Sequence, residues 1–154
     1  MSTLSVDTIQ GQTTAANVKF PAGSILQTVN AKTTTMVNVA STTHSDTGLT
    51  ATITPKYSSS KILVIISQSC GSDRDSNIAS VGIVVKRGST TIQTQTYVAY
   101  AEAAGVGAVK DVGPYSFTML DSPATTSATT YKTQGNINTT STVSYTHLTL
   151  PTKA

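Results

Sequence analysis

The chain is poor in charged and aromatic residues and has no tryptophan. Charged residues occupy 11% of its 154 positions and aromatic residues 5%, whereas an ordinary globular domain has about 25% charged residues. The formal net charge is +3, but the basic residues are scattered singly and form no patch that would follow a phosphate backbone. The sequence therefore predicts no nucleic-acid partner.

Other absences exclude further classes of protein. Cys70 is the single cysteine, so an internal disulfide is impossible. The longest apolar run, residues 62–66, is only strand-sized, and no segment resembles a signal peptide, so we predict no membrane insertion. Glu102 is the only glutamate, and His44 lies in a polar turn without an evident partner. We therefore predict that the chain is not an enzyme and binds no cofactor or metal.

The sequence is rich in threonine, and its apolar residues recur at every second position in several segments. In residues 47–55, Leu49, Ala51 and Ile53 alternate with threonines, which predicts a half-buried strand. Residues 62–66 are apolar at every position, which predicts a central strand covered on both faces. Eight segments read as strands: 24–31, 36–40, 47–55, 61–70, 80–85, 90–98, 115–120 and 129–138. This spacing predicts an all-β fold, an antiparallel β-sandwich that is jelly-roll-like.

Tyr115, Phe117 and Met119 are predicted to share one face of their strand, and Tyr131 and Ile137 are predicted to lie inside the sandwich. Residues 71–77 are predicted to form a polar loop, and residues 101–113 stay undecided between a short helical turn and a loop. Residues 1–23 are polar and glycine-punctuated, and we predict an extended leader that serves attachment or oligomerisation. The β-sandwich domain is assigned to residues 24–142.

Several phrases of the sequence resemble a recurrent family of tailed-phage structural proteins. They are LSVDTIQG, VKFPAGSILQTV, DTGLTATITPKYSSSKILV and LDSPATTSATTYKTQ, and they fall within residues 4–134. Members of that family are described as tail-fibre or virion structural proteins and are common in aquatic phages. The resemblance implies a homotrimeric tail-fibre or fibre-tip domain on the virion, made in the host cytoplasm, that contacts other virion proteins and presents loops for host attachment.

The last twelve residues, 143–154, do not share the composition of the rest. The codons GTC TCT TAT ACA CAT CTG ACG CTG CCG ACG occur in one frame of a widely used transposase-based sequencing adapter. They translate to VSYTHLTLPT, the sequence of residues 143–152, and the flanking bases fit Thr142 and Lys153. We therefore interpret residues 143–154 as a non-native tail on a C-terminally truncated metagenomic fragment whose natural closing strand is missing.

The truncation carries its own structural expectation. A sandwich that lacks its closing strand leaves a neighbouring strand with open N–H and C=O groups. A strand that the tail forms in that place would be a surrogate and no evidence that the tail is native. The tail would fit poorly, because its apolar residues change face at His147–Leu148.

Candidate contact residues come from the polar loops and from aromatic side chains. The predicted receptor-contact residues are Asp73, Arg74, Asp75, Asn77, Tyr97 and Tyr100. Residues 73–77 also match the opening of a calcium loop, but Ile78 replaces the required glycine and Val84 the closing glutamate, which excludes an EF-hand. The alternative function is a carbohydrate-binding adhesin not tied to a fibre, with Tyr57, Tyr97 and Tyr100 as aromatic platforms for a host-surface glycan.

Overall fold

The computed structural model describes residues 24–74, 79–101, 109–138 and 143–147. The predicted leader, residues 1–23, lies outside the described residues. Within them the chain forms eight β-strands and no helix. The strands are β1 Val37–Val39, β2 Ser45–Ile53, β3 Ile62–Arg74, β4 Ala79–Arg87, β5 Thr90–Ala101, β6 Val109–Asp121, β7 Thr129–Ile137 and β8 Val143–His147.

The strands form two four-stranded sheets. Sheet A has the order β1-β8-β3-β6 and sheet B the order β2-β7-β4-β5. Every pairing in both sheets is antiparallel. The predicted all-β fold, an antiparallel sandwich, is therefore confirmed.

Strand β2 has the predicted alternation, with an irregularity near its start. Leu49 is 6% exposed, whereas Thr50 and Thr52 point outward. The register with β7 shifts between Asp46 and Thr50, and Gly48 in this bulge has φ +86°. Glycine adopts this left-handed conformation without the steric cost of a Cβ.

Strand β3 is central in its sheet but is covered on one face only. Val64 and Ile66 are buried, whereas Leu63 is 59% exposed and Ile65 is 56% exposed. The prediction that both faces are covered was wrong, because a sandwich has two layers and each sheet faces its partner on one side only. Within the described residues no third layer covers the outer face of sheet A.

Strands β4 and β5 form a hairpin with a tight turn. The strands end at Arg87 and resume at Thr90, so the turn is Gly88–Ser89. Gly88 has φ +57°, and its N–H donates to the carbonyl of Thr130 at 2.8 Å. A two-residue turn needs this positive φ to match the twist of the strands.

Two further boundaries differ from the prediction. Residues 24–31 form no strand, whereas β1 forms within the predicted segment 36–40. Residues 71–74, predicted as part of a loop, belong to a strand, because β3 continues to Arg74 and pairs there with β6. Strand β8, which is part of the predicted tail, lies between β1 and β3.

The core lies between the sheets and is built from the inward positions of both. Tyr131 and Ile137, which were predicted to lie inside, are buried. Of the three side chains predicted to share one face of β6, Tyr115 is buried, and Phe117 and Met119 pack against the core while partly exposed. The core cluster comprises Leu49, Val64, Ile66, Cys70, Ile83, Val85, Tyr115 and Tyr131.

Candidate functional site

Four of the connections between consecutive strands lie at one end of the sandwich. Arg74 pairs with Val109, and Ala79 pairs with Ala101. The N–H of Ile137 donates to the carbonyl of Ser41 at 2.9 Å. The connections β1–β2, β3–β4, β5–β6 and β7–β8 therefore all begin and finish at this end, which we call the loop end. Loops on a rigid β scaffold are the usual place for recognition.

The predicted contact residues are unevenly placed with respect to the loop end. Asp73 and Arg74 are the last two residues of β3, so they belong to a strand and not to the predicted loop. Tyr100 pairs with Ser80 in the adjacent part of sheet B. Tyr97 lies three positions earlier on β5 and is 59% exposed. Asp75 and Asn77 lie outside the described residues.

Tyr57, the third aromatic candidate, lies at the opposite end of the sandwich. It is 45% exposed in the connection between β2 and β3. The ammonium of Lys56 lies 6.0 Å from the centre of its ring, within cation–π distance. Tyr57 therefore does not share a surface with Tyr97 and Tyr100.

Two asparagines that sequence reasoning did not select fix the backbone at the loop end. The side-chain amide of Asn136 donates to the carbonyl of Thr42 at 3.3 Å and to Oδ1 of Asn138 at 3.2 Å. The amide of Asn138 donates in turn to the carbonyl of Thr96. The β1–β2 connection, the end of β7 and strand β5 are thereby held together. Only the polar GNIN phrase at the end of a strand hinted at this role.

The sandwich interior becomes polar toward the loop end. The hydroxyls of Thr47 and Thr133 lie 2.5 Å apart, and the Thr133 hydroxyl donates to Oε1 of Gln68 at 3.0 Å. This chain of contacts links β2 and β7 in sheet B to β3 in sheet A. Among the described residues, four buried polar atoms have no hydrogen-bond partner: Gln68 Nε2, Ser72 Oγ, Ser80 Oγ and the Tyr115 hydroxyl. Such groups cost stability when they stay unpaired.

Cys70 lies inside this polar region and is completely buried. Burial raises the pKa of its thiol to about 12, against a smaller opposing effect of the Gln68 side chain. The thiolate, which is the nucleophilic form of cysteine, is therefore essentially absent near neutral pH. The interpretation of Cys70 as a core residue agrees with its burial.

The opposite end of the sandwich, which we call the turn end, carries a buried ionic cluster. Nη1 of Arg87 donates to both carboxylate oxygens of Asp121 at 2.8 and 2.9 Å, and the hydroxyl of Tyr131 donates to Asp121 at 2.6 Å. Burial alone would raise the pKa of Asp121, but the hydrogen bonds from Tyr131 and Arg87 outweigh it and hold the pKa below its usual value. The cluster ties β4 and β7 to β6, across the two sheets.

Among the described residues, a second ion pair lies on the outer face of sheet B. Lys132 Nζ lies 2.8 Å from the Asp46 carboxylate, and Gln134 donates to the same group at 2.6 Å. These hydrogen bonds, that of Lys132 first, lower the pKa of Asp46. His44 is exposed, as predicted, and burial of part of its ring together with nearby Lys86 lowers its pKa.

The described part of the chain contains neither a candidate metal site nor a candidate membrane-spanning helix. No group of three or more histidine, cysteine, aspartate or glutamate side chains there is placed to hold a metal ion. The same residues include no helix with the length and apolarity to cross a membrane. The chain matches no protein-family model, and comparisons with curated proteins and with solved structures find no significant match.

Proposed function

We propose that the chain is a structural module of a bacteriophage particle, a homotrimeric tail-fibre or fibre-tip domain that presents its loop end to the host surface. The observation that carries this proposal is the gathering of four connections at one end of a rigid β-sandwich. A scaffold of this kind holds variable loops away from its subunit contacts. The phrases that resemble tailed-phage structural proteins support the same assignment.

The pairing of the strands supports a jelly roll. Along the chain, β1 pairs with β8, β2 with β7, β3 with β6 and β4 with β5. These nested pairs are those of one long hairpin wrapped into two sheets, which is the jelly-roll arrangement seen in viral capsid and lectin domains. Strand β8 lies between β1 and β3, and the pairs of β2 with β7, β3 with β6 and β4 with β5 show the same nesting without it.

The homotrimer is supported by the surface of sheet A. Leu63, Ile65 and Leu120 expose more than half of their side chains on its outer face. Contiguous exposed apolar groups usually mark a contact with another protein.

The alternative function, a carbohydrate-binding adhesin, is favoured by one observation. Tyr97 exposes 59% of its surface on β5, close to the loop end. Aromatic rings beside polar loops are common platforms for sugars. A binding site there does not require that the module belong to a fibre.

Two measurements test the proposed function. Sedimentation equilibrium of the purified chain gives its oligomeric state, and mass spectrometry of density-purified virus particles from the source of the sequence shows whether its peptides occur in virions. We expect a trimer and virion-derived peptides. A monomer would contradict the proposed homotrimer. If no peptides of this chain occur in particles whose other structural proteins are detected, the virion assignment is wrong.

A glycan array tests the alternative, with Tyr57 as the matched control. We expect Tyr97→Ala to abolish glycan binding and Tyr57→Ala to leave it unchanged, because Tyr57 lies at the other end. Equal loss in both variants would point to a folding defect. Binding that survives Tyr97→Ala would remove Tyr97 from the site.

The nucleotides that encode residues 143–154 test the interpretation of the tail. We expect them to match the adapter codons base by base. If they differ by synonymous codons, the tail is native and His44 regains a possible partner in His147.

A further inference from the structure

We propose that residues 24–30 of one copy cover the outer stripe, formed by Leu63, Ile65 and Leu120, on a second copy of this chain. This inference rests on the proposed homo-oligomer and adds which surfaces meet. Both surfaces belong to the described residues, and both are apolar and exposed in the single chain.

The outer stripe is one continuous patch. Leu63 lies directly opposite Leu120 in the register of β3 and β6, and Ile65 follows Leu63 on the same face. Their exposed fractions are 59%, 62% and 56% for Leu63, Leu120 and Ile65. Side chains that are opposite each other on antiparallel strands have Cβ atoms about 5 Å apart. The three side chains therefore form a contiguous apolar surface.

The outer stripe is bordered by small hydroxyl side chains and, at one end, by a single lysine. The same face of β3 and β6 continues with Ser67, Ser116 and Thr118. Lys61, at the border of the stripe, donates to the hydroxyl of Ser122 at 2.6 Å. The apolar centre of this surface is suited to another apolar protein surface.

Residues 24–30 offer a matching surface on an extended segment. Ile25 is 86% exposed, Leu26 42% and Val29 40%. The segment has β-strand character in its sequence but is not paired in either sheet. Ala31 packs against the core and anchors the end of the segment to its own domain. In a single copy the segment and the outer stripe are thus exposed at the same time.

The stoichiometry favours a second copy as the occupant. Each chain carries one such segment and one outer stripe, so an exchange around a closed ring leaves neither exposed. A heterologous contact of this kind closes into a ring when its rotation allows, and three copies satisfy the proposed trimer. From Ala31, seven extended residues reach roughly 23 Å, which is sufficient to cross to a neighbouring sandwich.

Single substitutions in each surface test the contact. We expect Leu63→Lys, and separately Ile25→Asp, to raise the midpoint concentration of self-association at least about 30-fold in sedimentation velocity, because each removes a large apolar side chain from a buried contact. Thr94→Lys places the same charge on exposed β5 and is the matched control, expected to leave the midpoint unchanged. Circular dichroism verifies that every variant is folded.

Disulfide trapping then identifies the two surfaces directly. In a Cys70→Ala background, Ile25→Cys chains and Leu120→Cys chains with tags of different mass are mixed and oxidised with a copper–phenanthroline catalyst and air. We expect a disulfide between the two tagged chains, and none when Thr94→Cys replaces Leu120→Cys.

The outcomes separate this inference from the proposed function. An oligomer whose midpoint is unaffected by Leu63→Lys and Ile25→Asp overturns the inference and leaves the homo-oligomer standing. A chain that is monomeric at every concentration overturns both. A chain carrying both cysteines that forms only an internal disulfide overturns the assignment to a second copy.

Discussion

At the scale of single residues, Gly82 and Asn136 show how closely the loop end is packed. A Cβ at position 82 would overlap Oδ1 of Asn136 and lie 3.2 Å from the carbonyl oxygen of Thr96. The same asparagine amide holds the β1–β2 connection through Thr42. Any side chain at position 82 therefore displaces a group that the loop end needs.

We expect Gly82→Ala to lower the free energy of unfolding by about 1–3 kcal/mol, the usual cost of inserting a methyl group where no space exists. Urea denaturation measures the loss. Gly135→Ala is the matched control, because a Cβ there would lie 3.5 Å from Thr47 and 3.6 Å from Ile83, which is ordinary contact. Equal losses in the two variants would contradict the role given to Asn136.

The burial of Cys70 leads to a second prediction. Because the thiol is fully buried and its pKa is raised to about 12, we expect no reaction with Ellman's reagent near neutral pH in the folded chain. Denaturant should release one equivalent per chain. A cysteine placed by Leu120→Cys, at an exposed position, should react at once in the folded protein. Rapid reaction of Cys70 itself would show that the polar interior opens easily.

At the scale of strands, the cluster at the turn end makes stability depend on pH in two windows. The pKa of Asp121 is lower in the folded chain than in the unfolded chain, so its contribution is present above about pH 4 and is lost as the pH falls through the folded pKa. The pKa of Tyr131 is raised, first by burial and then by Asp121. Its contribution is present below about pH 10 and is lost as the pH rises above that value.

We therefore expect the melting temperature to fall at both extremes of pH. Asp121→Asn should lower the free energy of unfolding at neutral pH by about 3 kcal/mol, because it leaves the partly buried Arg87 unpaired, and should weaken the acid dependence. Tyr131→Phe should remove much of the alkaline dependence and also weaken the acid dependence, because the Tyr131 hydroxyl helps to hold the pKa of Asp121 low. Calorimetry over a pH series measures both. Unchanged pH profiles in the two variants would exclude the cluster as their origin.

Strands β2, β6 and β7 could be predicted from the sequence because each depends on its own alternation. Tyr115 on β6 and Tyr131 on β7 point inward as the period of two requires. The outer face of β3 could not be predicted, since Leu63 and Ile65 have the pattern of a doubly covered strand and only the number of layers decides their burial. The strand predicted at residues 24–31 does not form for a similar reason. A strand needs a hydrogen-bonding neighbour, and the local sequence pattern does not supply one.

The candidate site could be predicted only in part. The sequence indicated residues 73–77 and the tyrosines of β5 as candidates, but it did not reveal that Arg74 and Val109 are paired neighbours at the same end. It also missed Asn136 and Asn138, whose role depends on carbonyl groups of Thr42 and Thr96, far away along the chain. Contacts of this range follow from topology rather than from spacing.

At the scale of the whole molecule, β8 connects β1 to the other strands of sheet A. Thr146 is paired with Val37 of β1 and with Cys70 of β3 at the same time. Its five residues, 143–147, are those that the adapter frame encodes, and they occupy the place where a surrogate strand was predicted. Leu148, where the alternation breaks, lies outside the described residues.

We expect Thr146→Pro to detach β8, and β1 with it, from sheet A, because proline removes a backbone donor in the interior of a ladder. The expected result is a large loss of thermal stability and aggregation through the open edge of β3. Thr146→Val keeps the donor and is the control. If Thr146→Pro melts like the parent, β8 contributes little in solution, and the sandwich tolerates an open sheet.

The connections at the loop end can vary in length, whereas the ionic cluster at the turn end must be kept because it joins the two sheets. Lengthening a flexible connection costs only about 0.6 kcal/mol for each doubling, so insertions between Arg74 and Ala79 would leave the ionic cluster at Asp121 untouched. Changes in these connections can then accumulate almost independently of selection on folding. The same separation makes the chain a display scaffold, into which foreign peptides can be grafted at the loop end while the turn end keeps the two sheets joined.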